Sequence, residues 1–222
     1  MTISICENVD CMEAMKAFPD KYFELAVVDP PYGLEGRVTE GGNTNSQSRK
    51  FRDKYREQNW DTAPTADYFE QLMRVSANQI ICGGNCFQLP PTRCFIFWDK
   101  KQRMPTFSSG ELIWTSFDRP AKIFEEQSTD LLRFHPTQKP IALYKWLLTN
   151  YAKPGDKILD THLGSGPSRI AAHDMGFDFW GYELDADYFA AMEARFQAHI
   201  SKPVLFAPDQ MYNFEQAKLF EE

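Results

Sequence analysis

The sequence predicts an α/β protein with a doubly wound, mostly parallel sheet, on three observations. Apolar runs of strand length alternate with stretches of helical spacing, as in chained βα units. The run Leu25-Ala26-Val27-Val28 is apolar at every position, which fits a strand covered on both faces. Two such strands end abruptly in a carboxylate, Asp29 and Asp160, followed by turn residues.

The elements follow in order. Residues 3–5 and 24–28 read as strands, with a short helix between them from about Cys11 to Phe18. Residues 34–60 contain Gly36, Gly41 and Gly42, the polar run Asn43 to Ser48 and few apolar side chains, so they read as a mobile loop over a site. Helix resumes from Ala66 to Ser76. Gln79-Ile80-Ile81-Cys82 is a strand that runs into a Gly83-Gly84-Asn85 turn, and Cys94 to Trp98 is a buried strand. Residues 105–125 alternate weakly around Leu112-Ile113-Trp114, which suggests short antiparallel strands.

The βα rhythm then repeats. Leu143, Trp146, Leu147 and Tyr151 share a helix face within Ile141 to Ala152, and Pro154-Gly155 stops it. Lys157 to Asp160 is a strand. Pro167 opens a helix that reaches Met175, with Gly176 beyond its end. Phe177 to Tyr182 is a strand and Ala186 to Ile200 a helix. The tail after Pro203 reads as a peripheral strand or extended arm. One domain, residues 1–222, accounts for the length.

Composition excludes several classes. With 43% hydrophobic residues the chain can fill a core, yet no apolar run approaches the ~18 residues of a membrane span. The amino terminus lacks a basic stretch followed by an apolar one, so no signal peptide is expected and the protein is expected in the cytoplasm. The five cysteines, Cys6, Cys11, Cys82, Cys86 and Cys94, have no paired CxxC spacing, which argues against zinc and against a disulfide framework. The net charge of -7 counts against a nonspecific nucleic-acid coat. Positive charge is local instead: Arg49, Lys50, Arg52, Lys54 and Arg56 are opposed only by Asp53, and Lys100, Lys101 and Arg103 follow Asp99. These clusters point to one face that could meet phosphates, although either alone also reads as a solvated loop.

The first candidate site is Asp29-Pro30-Pro31-Tyr32-Gly33. Two prolines fix φ twice and remove two backbone donors, so the chain cannot continue the ladder. The Asp29 carboxylate, the Pro30 carbonyl and the Tyr32 ring are then held at the carboxyl end of a strand, where open α/β sheets bind ligands. Two acceptors beside a stacking ring suit a planar group that carries an exocyclic NH2. Asp-Pro-Pro also serves as an ordinary strand terminator, and on this stretch alone the two readings are evenly matched.

The second candidate site is Asp160-Thr161-His162-Leu163-Gly164-Ser165-Gly166, a strand end, a glycine turn and a helix start. Its glycines let backbone pass close to a ligand, and the helix amino terminus offers free NH groups. A second strand ends about twenty residues on at Glu183, where an acidic residue commonly takes ribose hydroxyls. The turn lacks the third glycine of a dinucleotide fingerprint and the Gly-Lys-Ser/Thr of a phosphate loop. A ribosylated ligand without a pyrophosphate fits better, and S-adenosylmethionine is such a ligand. His135-Pro136-Thr137-Gln138-Lys139-Pro140 holds a rigid polar segment before the next helix.

Taken together, Asp-Pro-Pro-Tyr, His-Pro-Thr-Gln-Lys-Pro and Asp-x-x-x-Gly-Ser-Gly resemble the amino-DNA methyltransferases. With the catalytic motif before the cofactor motif, the order is the permuted, beta-class arrangement. The resemblance extends from about Ile5 to Phe196. It implies a seven-stranded, Rossmann-like sheet with a small inserted target-recognition region, taken as residues 88–133. It implies S-adenosylmethionine as cofactor, with no metal, and double-stranded DNA as substrate. The Asp before Pro-Pro-Tyr looks like the N6-adenine branch.

Asp29, Pro30 and Tyr32 would then be catalytic. Asp160, Gly164 and Gly166 would wrap the methionine portion, Glu183 would take the ribose, and Asp10 would approach the cofactor adenine. His135, Thr137 and Lys139 would line the pocket near the methionine end, and Asp29 would also border the cofactor. Arg49, Lys50, Arg52, Lys54, Arg56, Lys100 and Lys101 would contact DNA. Thr161-His162 departs from the Pro-Phe usual after the aspartate. A homodimer and a cognate restriction endonuclease stand as partners, and no membrane is expected. The alternatives are an N4-cytosine methyltransferase, an enzyme acting on RNA or a protein amide, and an inactive DNA- or cofactor-binding subunit.

Overall fold

A computed structural model of the chain describes residues 2–34, 61–103, 108–127 and 138–202. The strands are β1 (Ser4–Glu7), β2 (Phe23–Val28), β3 (Ser76–Cys82), β4 (Ile96–Asp99), β5 (Gly110–Thr115), β6 (Lys122–Glu125), β7 (Lys157–Asp160) and β8 (Asp178–Tyr182). The helices are α1 (Cys11–Lys16), α2 (Ala66–Val75), α3 (Ile141–Tyr151), α4 (Pro167–Asp174) and α5 (Ala186–Ile200), with a 3-10 turn at Gly84–Cys86.

All eight strands form one sheet in the order β1-β8-β7-β2-β3-β5-β4-β6. β5 alone runs against the rest, antiparallel to both β3 and β4. The sequence reading is corrected here from seven strands to eight. In β6, Lys122, Ile123 and Glu125 are exposed and only Phe124 is buried, so its pattern carries little strand signal. Nor is β6 antiparallel as expected, since it pairs parallel with β4 through Phe97 and Ile123.

The apolar run of β2 is explained by its surroundings. Leu25 and Val27 pack on one face of the sheet with Ile80, Leu143, Leu147, Ile158 and Ala171. Ala26 and Val28 pack on the other with Met15, Tyr68, Leu72, Ile81 and Leu159. Each large apolar side chain buried this way contributes ~1.5–3 kcal/mol, so the strand has strong reason to sit between two helical layers.

Local signals set the helix ends. Asp10 caps α1 by accepting from the Met12 N–H at 2.7 Å. Asp185 caps α5 by accepting from the N–H groups of Asp187 and Tyr188, each at 2.9 Å. Pro167 opens α4, and Gly176 at φ +76° lets the chain turn after it. Among the described residues, no helix is long and apolar enough to cross a membrane.

Because β2, β7 and β8 are parallel neighbours, their following residues gather at one edge. From β2 the chain continues to β3 on one side, while β7 arrives on the other. The crevice between β2 and β7 is therefore the switch point at which such sheets bind ligands. Asp29, Asp160 and Glu183 all stand at this edge.

Candidate active site

The turn after β2 is built by residues distant in sequence. Pro30 is buried, and the two prolines end the ladder. Asp61 then pins the loop: one carboxylate oxygen accepts from the N–H groups of Tyr32 at 3.1 Å and Gly33 at 2.9 Å, and the other from Leu34 at 2.7 Å. The Tyr32 ring lies against Gly83, whose φ of +65° and missing side chain make room for it. Phe87 meets the ring edge-on at 6.1 Å between centroids.

Four charges and one hydroxyl converge there. Asp29 Oδ1 accepts from the Tyr32 hydroxyl at 2.8 Å, and Asp29 Oδ2 from Lys139 Nζ at 2.5 Å. Lys139 also donates to the Tyr32 oxygen at 3.0 Å and lies 3.3 Å from Glu111 Oε2. Lys100 closes tightly on Glu111 Oε1. Burial alone would discharge Lys139, but Asp29 and Glu111 hold its pKa well above the usual lysine value. Burial likewise works against Glu111, yet Lys139 and Lys100 bring its carboxyl down to about 2. Burial, with Asp29 and Glu111 alongside, pushes the Tyr32 phenol up, so its proton stays on as a donor.

The end of β7 forms the other half. Asp160 is buried, accepts from Ser168 Oγ at 2.5 Å and from the His162 N–H at 3.0 Å. Burial outweighs those two bonds and raises its carboxyl to about 7. Gly164 and Gly166 adopt φ of +50° and +70°, so the turn needs residues without a β-carbon. Glu183 accepts from the Gly164 N–H at 2.8 Å and from Asp185 N–H at 3.0 Å. Beside the turn, Tyr68 and Thr161 share a hydrogen bond of 2.6 Å, and Thr161 Oγ1 lies 2.9 Å from His162 Nδ1. Burial drops the His162 pKa to about 4, so the imidazole is neutral.

The structure thus brings Asp29, Tyr32, Lys139, Asp160, Gly164, Gly166 and Glu183 to one edge. Lys139, expected at the cofactor wall, sits on Asp29. Asp10 serves α1 as its cap. Lys100 is turned inward on Glu111, and Lys101 pairs with Glu125 at 2.5 Å, so neither stands as an unpaired cation. His135, Thr137, Arg49, Lys50, Arg52, Lys54 and Arg56 lie outside the described residues. Sequence reasoning missed Asp61, Glu111 and Tyr68, whose partners are 27–29, 79 and 93 residues away along the chain.

The donor set fits a ribosylated sulfonium. Glu183 offers two oxygens to a diol, the glycine turn admits backbone close approach, and the edge carries Asp10, Asp29, Asp160 and Glu183.

Comparison with known proteins agrees. The profile of a family described as DNA methylase matches residues 47–194, two thirds of the chain. The type II methyltransferase M2.MboI of Moraxella bovis is 23% identical over 246 residues, covering 88% of each chain. The structure of a DNA modification methylase from Thermus thermophilus, complexed with S-adenosyl-L-methionine, superposes with a TM-score of 0.57 at 16% identity, covering 89% of this chain and 95% of that one. The cytosine-N4-specific PvuII DNA methyltransferase superposes with a TM-score of 0.59 at 13% identity, covering 96% and 93%. These structures share the fold, and the profile match carries the assignment: this chain belongs to the N-4/N-6 DNA methylase family.

Proposed function

We propose that the protein transfers a methyl group from S-adenosylmethionine to the N6 amino group of adenine in double-stranded DNA. One observation carries the reading: a carboxylate and an aromatic ring stand at the end of β2, directly beside the glycine turn at the end of the neighbouring β7.

When bound, S-adenosylmethionine supplies an electrophilic methyl group on sulfur. The adenine amino nitrogen is a poor nucleophile because its lone pair is delocalised into the ring. Asp29 and the Pro30 carbonyl each accept one of its hydrogens, which localises the lone pair and aims it across the crevice. Positioning of this kind can account for ~7–11 kcal/mol of barrier lowering. The base must leave the duplex to reach Asp29. Tyr32 stacks on it, an interaction worth ~1–3 kcal/mol. After transfer the nitrogen sheds a proton, for which Asp29 is the acceptor within reach.

The remaining roles complete the proposal. Glu183 takes the ribose; Asp160, Gly164 and Gly166 shape the methionine end with His135 and Thr137; Asp10 lies toward the cofactor adenine. Lys139 acts on Asp29 in this reading. Residues 34–60 cover the flipped base and place the 49–56 basic cluster on phosphates, and residues 88–133 read the target. A second copy of the chain and a cognate restriction endonuclease are proposed as partners on the family resemblance alone.

Nucleoside mass spectrometry of DNA incubated with protein and S-adenosylmethionine tests the reading. N6-methyladenine is expected. N4-methylcytosine would overturn the choice of base, and absence of any methylated nucleoside the whole proposal.

A further inference from the structure

Both oxygens of Asp29 are engaged, Oδ1 by the Tyr32 hydroxyl and Oδ2 by Lys139. An incoming amino group that approaches Asp29 along either of these bonds displaces the donor already there. Lys139 is buried, and moving its ammonium would strand a charge away from water, which is costly. The Tyr32 hydroxyl is neutral and carries its hydrogen on a rotor. A second acceptor lies within its reach: Glu111 Oε2, at 3.4 Å. Lys100 holds the opposite oxygen of that carboxylate, so Oε2 is the one that faces the hydroxyl.

We infer that Glu111 is a positioning residue for the transfer, the acceptor onto which the Tyr32 hydroxyl turns when the target amino group takes Asp29 Oδ1. The inference rests on the proposed function. The exchange needs rotation about the Cζ–O bond and a closing of a few tenths of an ångström, with no displacement of the ring. Lys139 keeps its bond into the hydroxyl oxygen throughout. Without Glu111 the displaced O–H loses this acceptor, which opposes the step. The two lysines match the two carboxylates, so the cluster is neutral and Glu111 stays ionised through the exchange. β5, the reversed strand, is what brings this side chain to the ligand edge: Glu111 stands near its amino end, opposite Trp98.

The test is a double-mutant cycle on methyl transfer to DNA, with kcat, KM for DNA and cofactor Kd measured for the wild type, Glu111→Ala, Glu111→Gln, Tyr32→Phe and Tyr32→Phe/Glu111→Ala. Glu111→Ala is expected to lose about 10- to 100-fold in kcat, the range of a hydrogen bond to a charged group, with cofactor Kd unchanged. Glu111→Gln retains an acceptor oxygen and recovers most of that loss. In the Tyr32→Phe background no hydroxyl needs a receiver, so Glu111→Ala costs less than about threefold. Should the alanine variant not fold, Lys100→Met/Glu111→Leu removes one charge of each sign and enters the same cycle. Equal losses in both backgrounds, or a glutamine variant as poor as alanine, would overturn the inference alone. A wild type that transfers no methyl group to any DNA would overturn the proposed function and this inference with it.

Discussion

The Tyr32 ring fills the space that a side chain on Gly83 would occupy: a β-carbon there would lie 2.4 Å from Tyr32 Cε1. Gly83 also sits at φ +65°, a conformation that costs other residues ~1–3 kcal/mol. Gly83→Ala therefore displaces the ring that is proposed to stack on the base. Steady-state kinetics should show a fall of tenfold or more in kcat/KM for DNA, while calorimetric titration finds cofactor affinity little changed.

Asp61 accepts three backbone N–H groups from the loop that carries Tyr32. Asp61→Ala leaves those donors without their charged acceptor and should cost ~1.5–3 kcal/mol in denaturant unfolding. Transfer should fall as well, because the ring loses its anchor. Asp61→Asn keeps one acceptor oxygen and should lie between alanine and wild type on both measures.

Two carboxyls at the site pull the pH dependence of stability in opposite directions. Asp160 holds its proton up to about 7 when folded, against 3.8 ordinarily. Its contribution to stability is full below pH 3.8 and is lost as pH rises through about 7. Glu111 is held down to about 2, against 4.5 ordinarily. Its contribution is present above pH 4.5 and is lost as pH falls toward 2. Denaturation midpoints measured from about pH 3 to 8 should show the difference: Asp160→Asn flattens the decline between about pH 4 and 7, and Glu111→Gln the decline on the acid side. Each effect is on the order of a few kcal/mol.

Asp29→Ala should abolish methyl transfer and leave cofactor binding largely intact, read by methyl incorporation and by direct titration. Normal turnover in that variant would contradict the role given to Asp29. It should also destabilise the fold, since among the described residues Lys139 then keeps only Glu111 as a counterion.

Phosphate contacts make activity at limiting DNA depend on salt. With the 49–56 cluster on the backbone, the logarithm of affinity should fall by ~0.9 per contact for each tenfold rise in salt. Replacing Arg49, Arg52 and Arg56 by Gln should flatten that dependence, measured by DNA binding across a salt series.

Most of the scaffold was legible because its signals are local. A fully apolar strand, a proline pair, a glycine turn and a cap residue each act within a few positions, and the strand Lys157–Asp160 and the helix Ala186–Ile200 are found where the sequence placed them. The environment of Asp29 was not legible. Lys139 reaches it from 110 residues away, and Glu111 joins through β5, whose antiparallel course the weak alternation suggested but whose neighbours it did not name. Lys100 looked like a phosphate contact because its partner, Glu111, is eleven residues on and across a strand turn. The direction of β6 was misread, since a strand exposed at three of four positions leaves little pattern to show how it pairs.

The pairing of β2 with β7 has a consequence for how the protein is made. β2 leaves the ribosome well before the strand that covers one of its edges, since β7 begins only at Lys157. Until then a fully apolar strand presents a row of unpaired backbone groups, the kind of surface that recruits other chains. The acceptor half of the site therefore cannot mature on its own during synthesis: its sheet edge stays open until the methyl-donor half has been translated and docks against it.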